Sequence, residues 1–91
     1  MCYAASVPTI LRIGHLRVVI WPNDHPPPHV HVFGYGGEAL FNLNCPNGLP
    51  TLRDQYRLSD PEVNRMIRAL VPYIPQLCTT WEEMHGKQKP N

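Results

Sequence analysis

Asp24, His25, His29 and His31 fall within one stretch, DHPPPHVH, of a 91-residue chain. Imidazole nitrogens and carboxylates are common ligands of divalent transition metals. A histidine pair is equally suited to proton transfer near neutral pH. Two positions apart on an extended strand, His29 and His31 project from one side while Val30 and Val32 enter the other. Asp24 and His25 precede them on a loop stiffened by Pro26, Pro27 and Pro28, so little entropy would be lost in gathering Asp24, His25, His29 and His31 around a metal. Three roles stand open for the histidines: ligands of a divalent metal, acid and base in catalysis with His29 and His31 as the catalytic pair, or structural groups that stiffen a partner-binding surface.

The elements that must position these residues follow from the pattern of apolar residues and turn formers. TILRI and LRVVIW flank Gly14-His15 and read as a β-hairpin that pairs Ile13 with Leu16, Arg12 with Arg17, Leu11 with Val18 and Ile10 with Val19. PNDHPPP cannot enter a central ladder, because proline offers no N–H. HVHVFGY and EALFNL flank Gly36-Gly37 as a second hairpin, which pairs Val32 with Phe41, Val30 with Leu43, His31 with Asn42, His29 with Asn44 and Tyr35 with Glu38. In that register Asn42 and Asn44 are the orienters of the imidazoles. NCPNGLPTLRD reads as a loop. From Ser59, a capping box with Glu62 opens a helical stripe of Val63, Ile67, Leu70, Ile74, Leu77, Trp81 and Met84. Pro72 and Pro75 lie off the stripe and predict a kink or a break into two helices, and Gly86 ends the segment. The expected fold is α+β: a four-stranded, mostly antiparallel sheet of two hairpins with a kinked C-terminal helix or helix pair packed on one face.

That helix takes the face of Leu11, Ile13, Leu16, Val18, Ile20, Val30, Val32, Phe41 and Leu43. The second face, carrying the histidines, is expected to lie clear of the helical layer. Arg12, Arg17, Trp21, Phe33 and Tyr35 there suit an anion or a partner protein. Like charges directly across a ladder repel, so Arg12 and Arg17 call for an anion: Glu38, a partner's carboxylate or a phosphate.

Length and composition narrow the classes. A chain this short builds one domain, with a core over about 7–86 and a polar tail at 87–91. Eight Lys and Arg against seven Asp and Glu give a formal charge of +1, too weak to hold a phosphate backbone non-specifically, so RNA is not the favoured partner. Cys2, Cys45 and Cys78 are odd in number and lack Cys-x-x-Cys spacing, which fits buried free thiols in a reducing cytoplasm better than a disulfide or a thiolate zinc site. The N-terminus lacks a basic region followed by a long apolar run, and no segment approaches the length of a membrane span.

PTILRIG, NDHPPPHVHV, GEALFNL and the spacing from LSDPE to TTWEEMHG together resemble the small bacterial domain-of-unknown-function family 4160, over about residues 7–86. Its most specific part maps onto Asp24, His25, Pro28, His29 and His31, with Trp81 on the helix; the prolines at 72 and 75 depart from its uninterrupted helix. The resemblance implies a cytoplasmic component of a two-gene toxin-antitoxin-type module that binds a small cognate protein encoded nearby. On this reading the mixed sheet face binds that partner or joins a homo-oligomer. The alternative is a His-dependent or metal-dependent nuclease or phosphoester hydrolase using His29 and His31, with Arg12 and Arg17 on the phosphate. A histidine-triad nucleotide hydrolase is excluded, because Phe33 stands where the third histidine is required.

Overall fold

Gly14 turns the chain at positive φ (59°) between β1 (Thr9–Ile13) and β2 (Leu16–Val19). The expected pairs Ile13–Leu16, Arg12–Arg17 and Leu11–Val18 form, and an irregularity at Ile10 then brings Thr9 rather than Ile10 opposite Val19. In this computed structural model, which describes residues 9–86, β3 (His29–Gly34) and β4 (Gly37–Asn42) form the second hairpin. Its register differs from expectation by two residues: His29 faces Asn42, His31 faces Leu40, Val32 faces Ala39 and Phe33 faces Glu38. The reason is the turn. Tyr35 and Gly36, both at positive φ (54° and 77°), make it, as a two-residue hairpin connection requires. Gly37 serves another purpose, since a side chain there would run into the Tyr56 carbonyl and the Leu58 side chain. A shift of two changes every cross-strand partner yet leaves each side chain on its expected face.

The sheet has five antiparallel strands in the order β1-β2-β3-β4-β5, not four. The additional strand, β5 (Thr51–Tyr56, TLRDQY), lies where a loop was expected. It is almost wholly exposed, so it carries no apolar alternation to betray it, and only its pairing with β4 makes it a strand. Arg53, Asp54 and an irregular register suit an edge that must not recruit another chain. Tyr56 on this strand donates its hydroxyl to Asp54 (2.9 Å), and that bond together with the nearby negative charge raises the pKa of the phenol.

The helical segment breaks as its prolines demand: α1 (Asp60–Leu70), a single 3-10 turn (Val71–Tyr73) and α2 (Ile74–His85). Ser59 and Glu62 cap α1 reciprocally, at 3.3 and 2.9 Å, and Gly86 closes α2 at positive φ (80°). Val63, Leu70, Ile74, Leu77 and Trp81 of the stripe are buried, joined by Met66 and Cys78, while Ile67 and Met84 pack at the margin. They meet Leu16, Val18, Ile20, Val30, Val32, Phe41 and Leu43 of the sheet, the face assigned to them from alternation.

Cys45 and Cys78 form a disulfide, which ties the loop after β4 to α2 across 33 residues. Two scattered cysteines carry no sign of such pairing in their spacing, because only the return of the helix over the sheet brings them together. Cys45 and Cys78 are thus a bonded pair and not the buried free thiols expected of them. Cys2 and the tail at 87–91 lie outside the described residues, as do Val7 and Pro8 at the start of the expected core. No helix among the described residues is long and apolar enough to cross a membrane.

Candidate metal centre

Trp21, Pro22, Asn23 and Asp24 form a tight turn at the exit of β2. Asp24 N–H donates to the Trp21 carbonyl (3.1 Å), and Trp21 N–H donates to Asp24 Oδ2 (3.1 Å). This bracing aims the Asp24 carboxylate back toward the start of β3, where strand alternation sets the rings of His29 and His31 side by side, 5.5 Å apart. His29 Nδ1 lies 3.0 Å from the Pro27 carbonyl, and His31 Nδ1 lies 3.0 Å from Glu38 Oε2. Both partners are acceptors, so each Nδ1 carries the hydrogen, and in the neutral rings each Nε2 is left with a lone pair.

Those two Nε2 atoms converge on one carboxylate oxygen. Asp24 Oδ2 is 3.4 Å from His29 Nε2 and 3.4 Å from His31 Nε2. Charge-assisted N–H···O bonds run to about 2.7–2.9 Å, so these separations are long for direct bonding. Donors bound at about 2.0–2.2 Å around a tetrahedral ion stand roughly 3.3–3.6 Å apart, which the two oxygen–nitrogen separations match. The ligand atoms of Asp24, His29 and His31 all lie within 4.8 Å of one another. His31 Nε2 is buried with no hydrogen-bond partner. Two lone pairs and an anionic oxygen aimed at a common point repel unless a cation sits among them. The chemistry of the three, and the distance of Asp24 from each imidazole, therefore fit a divalent transition metal, with Glu38 and the Pro27 carbonyl as the groups that fix the imidazoles from behind.

Of the four residues assigned to a metal, the fold gathers Asp24, His29 and His31 and leaves His25 exposed on the loop, outside the cluster. Asn42 and Asn44 are not the orienters expected. Asn44 Nδ2 donates to the Leu49 carbonyl (2.7 Å) in the loop before β5 and to Thr51 Oγ1 (3.1 Å) at the start of that strand. The two-residue register shift gives Asn42 to His29 as its ladder neighbour and frees Glu38 to reach His31. In the sequence Glu38 stands only as an answer to the arginines. Its place diagonal to His31 across the ladder, once Phe33 is paired with Glu38, is the signal that finds it.

The face bearing the site is not clear of the helices. His29 is buried, with its ring 5.3 Å from that of Trp81 on α2. Trp81 in turn stacks on His85 (3.9 Å), whose Nε2 lies 3.1 Å from the Trp21 carbonyl. A break at Pro72 and Pro75 lets α2 carry its C-terminal end to the mouth of the β2–β3 loop, so the helix end walls one side of the site.

Arg12 is exposed and stands opposite half-buried Arg17, whose guanidinium lies over the Phe33 ring (4.8 Å). Among the described residues no carboxylate comes within 4 Å of either arginine. Trp21 meets His31 edge-on at 6.3 Å. Tyr35 goes elsewhere: its positive φ turns it toward the core margin, between His15 (4.5 Å) and the Arg65 guanidinium (6.0 Å).

Residues 16–82 match the family described as Domain of unknown function (DUF4160). That span holds Asp24, His29, His31, Glu38 and Trp81. No curated protein and no solved structure matches the chain.

Proposed function

The chain is a member of the DUF4160 family, and for it we propose a metal-centred function: hydrolysis of a phosphoester at a divalent ion held by Asp24, His29 and His31. The observation that carries this reading is the convergence of two Nε2 lone pairs and one carboxylate oxygen at 3.4 Å, with both Nδ1 atoms tied back. A bound divalent ion would supply Lewis acidity toward a phosphoryl oxygen and toward water. Three protein ligands leave positions for exogenous groups, as hydrolytic centres require. His29 and His31 act here as ligands through Nε2, with Nδ1 of each ring tied back to an acceptor. Arg17 shares the side of the sheet on which His31 emerges, two positions along from Val19, the ladder partner of His31. With Arg12 opposite, it offers two guanidinium forks to the charge of a phosphate.

The test is metal content of untagged protein together with its mass in solution, followed by cleavage of an activated phosphodiester and of single-stranded RNA by the metal-loaded form. One ion per chain is expected, lost with cleavage in a His29→Ala, His31→Ala double variant. Protein that stays free of metal under saturating zinc, cobalt and manganese sinks the reading.

A second reading rests on the unanswered pair Arg12 and Arg17: these guanidiniums, with Phe33 against Arg17 and Trp21 further along the chain, take a carboxylate of a small cognate protein or of a second copy, as expected for a toxin-antitoxin-type module. Co-purification with the product of a neighbouring gene, lost on Arg12→Ala, Arg17→Ala substitution but kept in the double histidine variant, separates it from the first.

A further inference from the structure

The buried side-chain polar atoms without a hydrogen-bond partner among the described residues are His31 Nε2 and Asn42 Oδ1. Folded proteins satisfy nearly all such atoms, so an orphan calls for a partner outside the protein, a water or an ion among them. Both fall on one patch. Asn42 faces His29 directly in the β3–β4 ladder, and His31, paired with Leu40, lies on its diagonal. Directly opposed side chains share a face, with Cβ atoms about 4.5–5.5 Å apart. On the other side of β4, Asn42 is paired with Thr51, whose hydroxyl already receives the amide of Asn44. The Asn42 oxygen thus has acceptor capacity, a buried position beside the ligand set and, among the described residues, no protein donor to use it.

We propose that Asn42 Oδ1 is a fourth protein donor to the ion, giving a centre of two imidazole nitrogens, one carboxylate oxygen and one amide oxygen, in which the exogenous group of the hydrolytic reading takes a fifth position. The proposal rests on the metal reading above and sharpens it. A neutral amide oxygen adds no charge but is a hard donor. It favours ions that prefer oxygen, manganese above all, over those that are content with imidazole alone. The order of affinities for a given set of donors rises from manganese toward copper, so an added oxygen narrows the gap between manganese and zinc rather than reversing it.

The experiment measures binding of Mn2+ and of Zn2+ to the metal-free full chain, for the wild type, Asn42→Leu and Asn42→Asp. Leucine removes the oxygen in a similar volume; aspartate keeps the shape and adds charge. Asn42→Leu is expected to weaken Mn2+ binding by about tenfold or more, comparable with the loss of other groups around metal sites, and Zn2+ binding by clearly less. Asn42→Asp is expected to tighten both, Mn2+ the more. A residue that merely held the fold would move both ions alike, so an unchanged ratio of Mn2+ to Zn2+ affinity in both variants overturns the assignment. Should Asn42→Leu fail to fold, the ratio in the isosteric aspartate decides alone. Wild-type protein that takes up neither ion removes the metal reading and this inference together. Wild-type uptake with an unmoved ratio removes only the role of Asn42.

Discussion

The ring of Trp81 lies 5.3 Å from the ring of His29, so the last turns of α2 and the first residue of β3 form one packed unit. From there a continuous series of contacts returns to the ligands. His85 stacks under Trp81, reaches the Trp21 carbonyl with Nε2, and Trp21 N–H holds Asp24 Oδ2. His29 and Asp24, two of the proposed ligands, are thereby fixed by the same helix end, one through ring packing and one through the loop. This explains how a site on a short, proline-rich connection holds its shape.

Asp24 carries the only formal charge among the proposed ligands, so its replacement by asparagine should remove most of the affinity while altering little else. Metal binding to the native state raises the melting temperature as affinity and concentration dictate, by about 4 kcal/mol of stability at a thousandfold excess over Kd. Zinc is expected to raise the melting temperature of the wild type and not that of Asp24→Asn, with similar values for the two metal-free proteins. Because both imidazoles must be neutral to bind, the zinc-induced rise should shrink as the pH falls into the acid range. A rise of equal size in the variant would show that zinc binds elsewhere.

Glu38 touches no ion, yet it holds His31 Nδ1–H at 3.0 Å. Groups in this position fix the tautomer and ring orientation of a ligand and raise its basicity, and their loss costs about 10–100-fold in affinity. Glu38→Gln keeps an acceptor and removes the charge; Glu38→Ala removes both. Titration calorimetry should rank zinc affinity as wild type, then glutamine, then alanine. Equal affinities across the series would leave the contact structural.

The chemistry of the loop was more legible than its geometry. Alternation alone set His29 and His31 on one side of the strand, and the register shift of two could not disturb that, because parity survives it. The partners were lost for the same reason: whether Gly36-Gly37 or Tyr35-Gly36 makes the turn depends on how closely Tyr56 and Leu58 approach Gly37, a tertiary fact. The capping box, the apolar stripe and the break at its prolines were all readable, being local. β5 was not, since a polar, exposed edge strand has no pattern of its own. The union of Cys45 with Cys78 and of Trp81 with His29 depends on where α2 lands, which no spacing in the sequence encodes.

His85 places Nδ1 at 3.2 Å from the Trp81 carbonyl and Nε2 at 3.1 Å from the Trp21 carbonyl, joining the helix end to the loop that carries Asp24. Phenylalanine at this position keeps the stack on Trp81 and loses both polar contacts. One such hydrogen bond contributes about 0.5–1.5 kcal/mol net, so His85→Phe should lower stability by an amount in that range in urea denaturation. The more telling readout is hydrogen exchange: the Trp21 and Asp24 amides should lose protection while amides in the middle of β3 keep theirs. Unchanged protection at Trp21 and Asp24 would mean that the turn holds itself without the helix.

The disulfide between Cys45 and Cys78 closes a loop with a sequence separation of 33 and anchors α2 three residues before Trp81. Restricting the unfolded chain in this way stabilises a protein by about 2–4 kcal/mol. A Cys45→Ser, Cys78→Ser variant should therefore unfold at a lower urea concentration than the oxidised wild type. Cys78 is buried against the core while Cys45 is exposed, so the variant disturbs packing at one end only, and a Cys45→Ala single variant under reducing conditions separates the tether from the burial of Cys78. Because Trp81 follows on the same helix, the metal-free variant should also show faster exchange at the start of β3, where His29 meets that ring. Identical urea midpoints for oxidised and reduced wild type would establish that α2 is held by its apolar face alone.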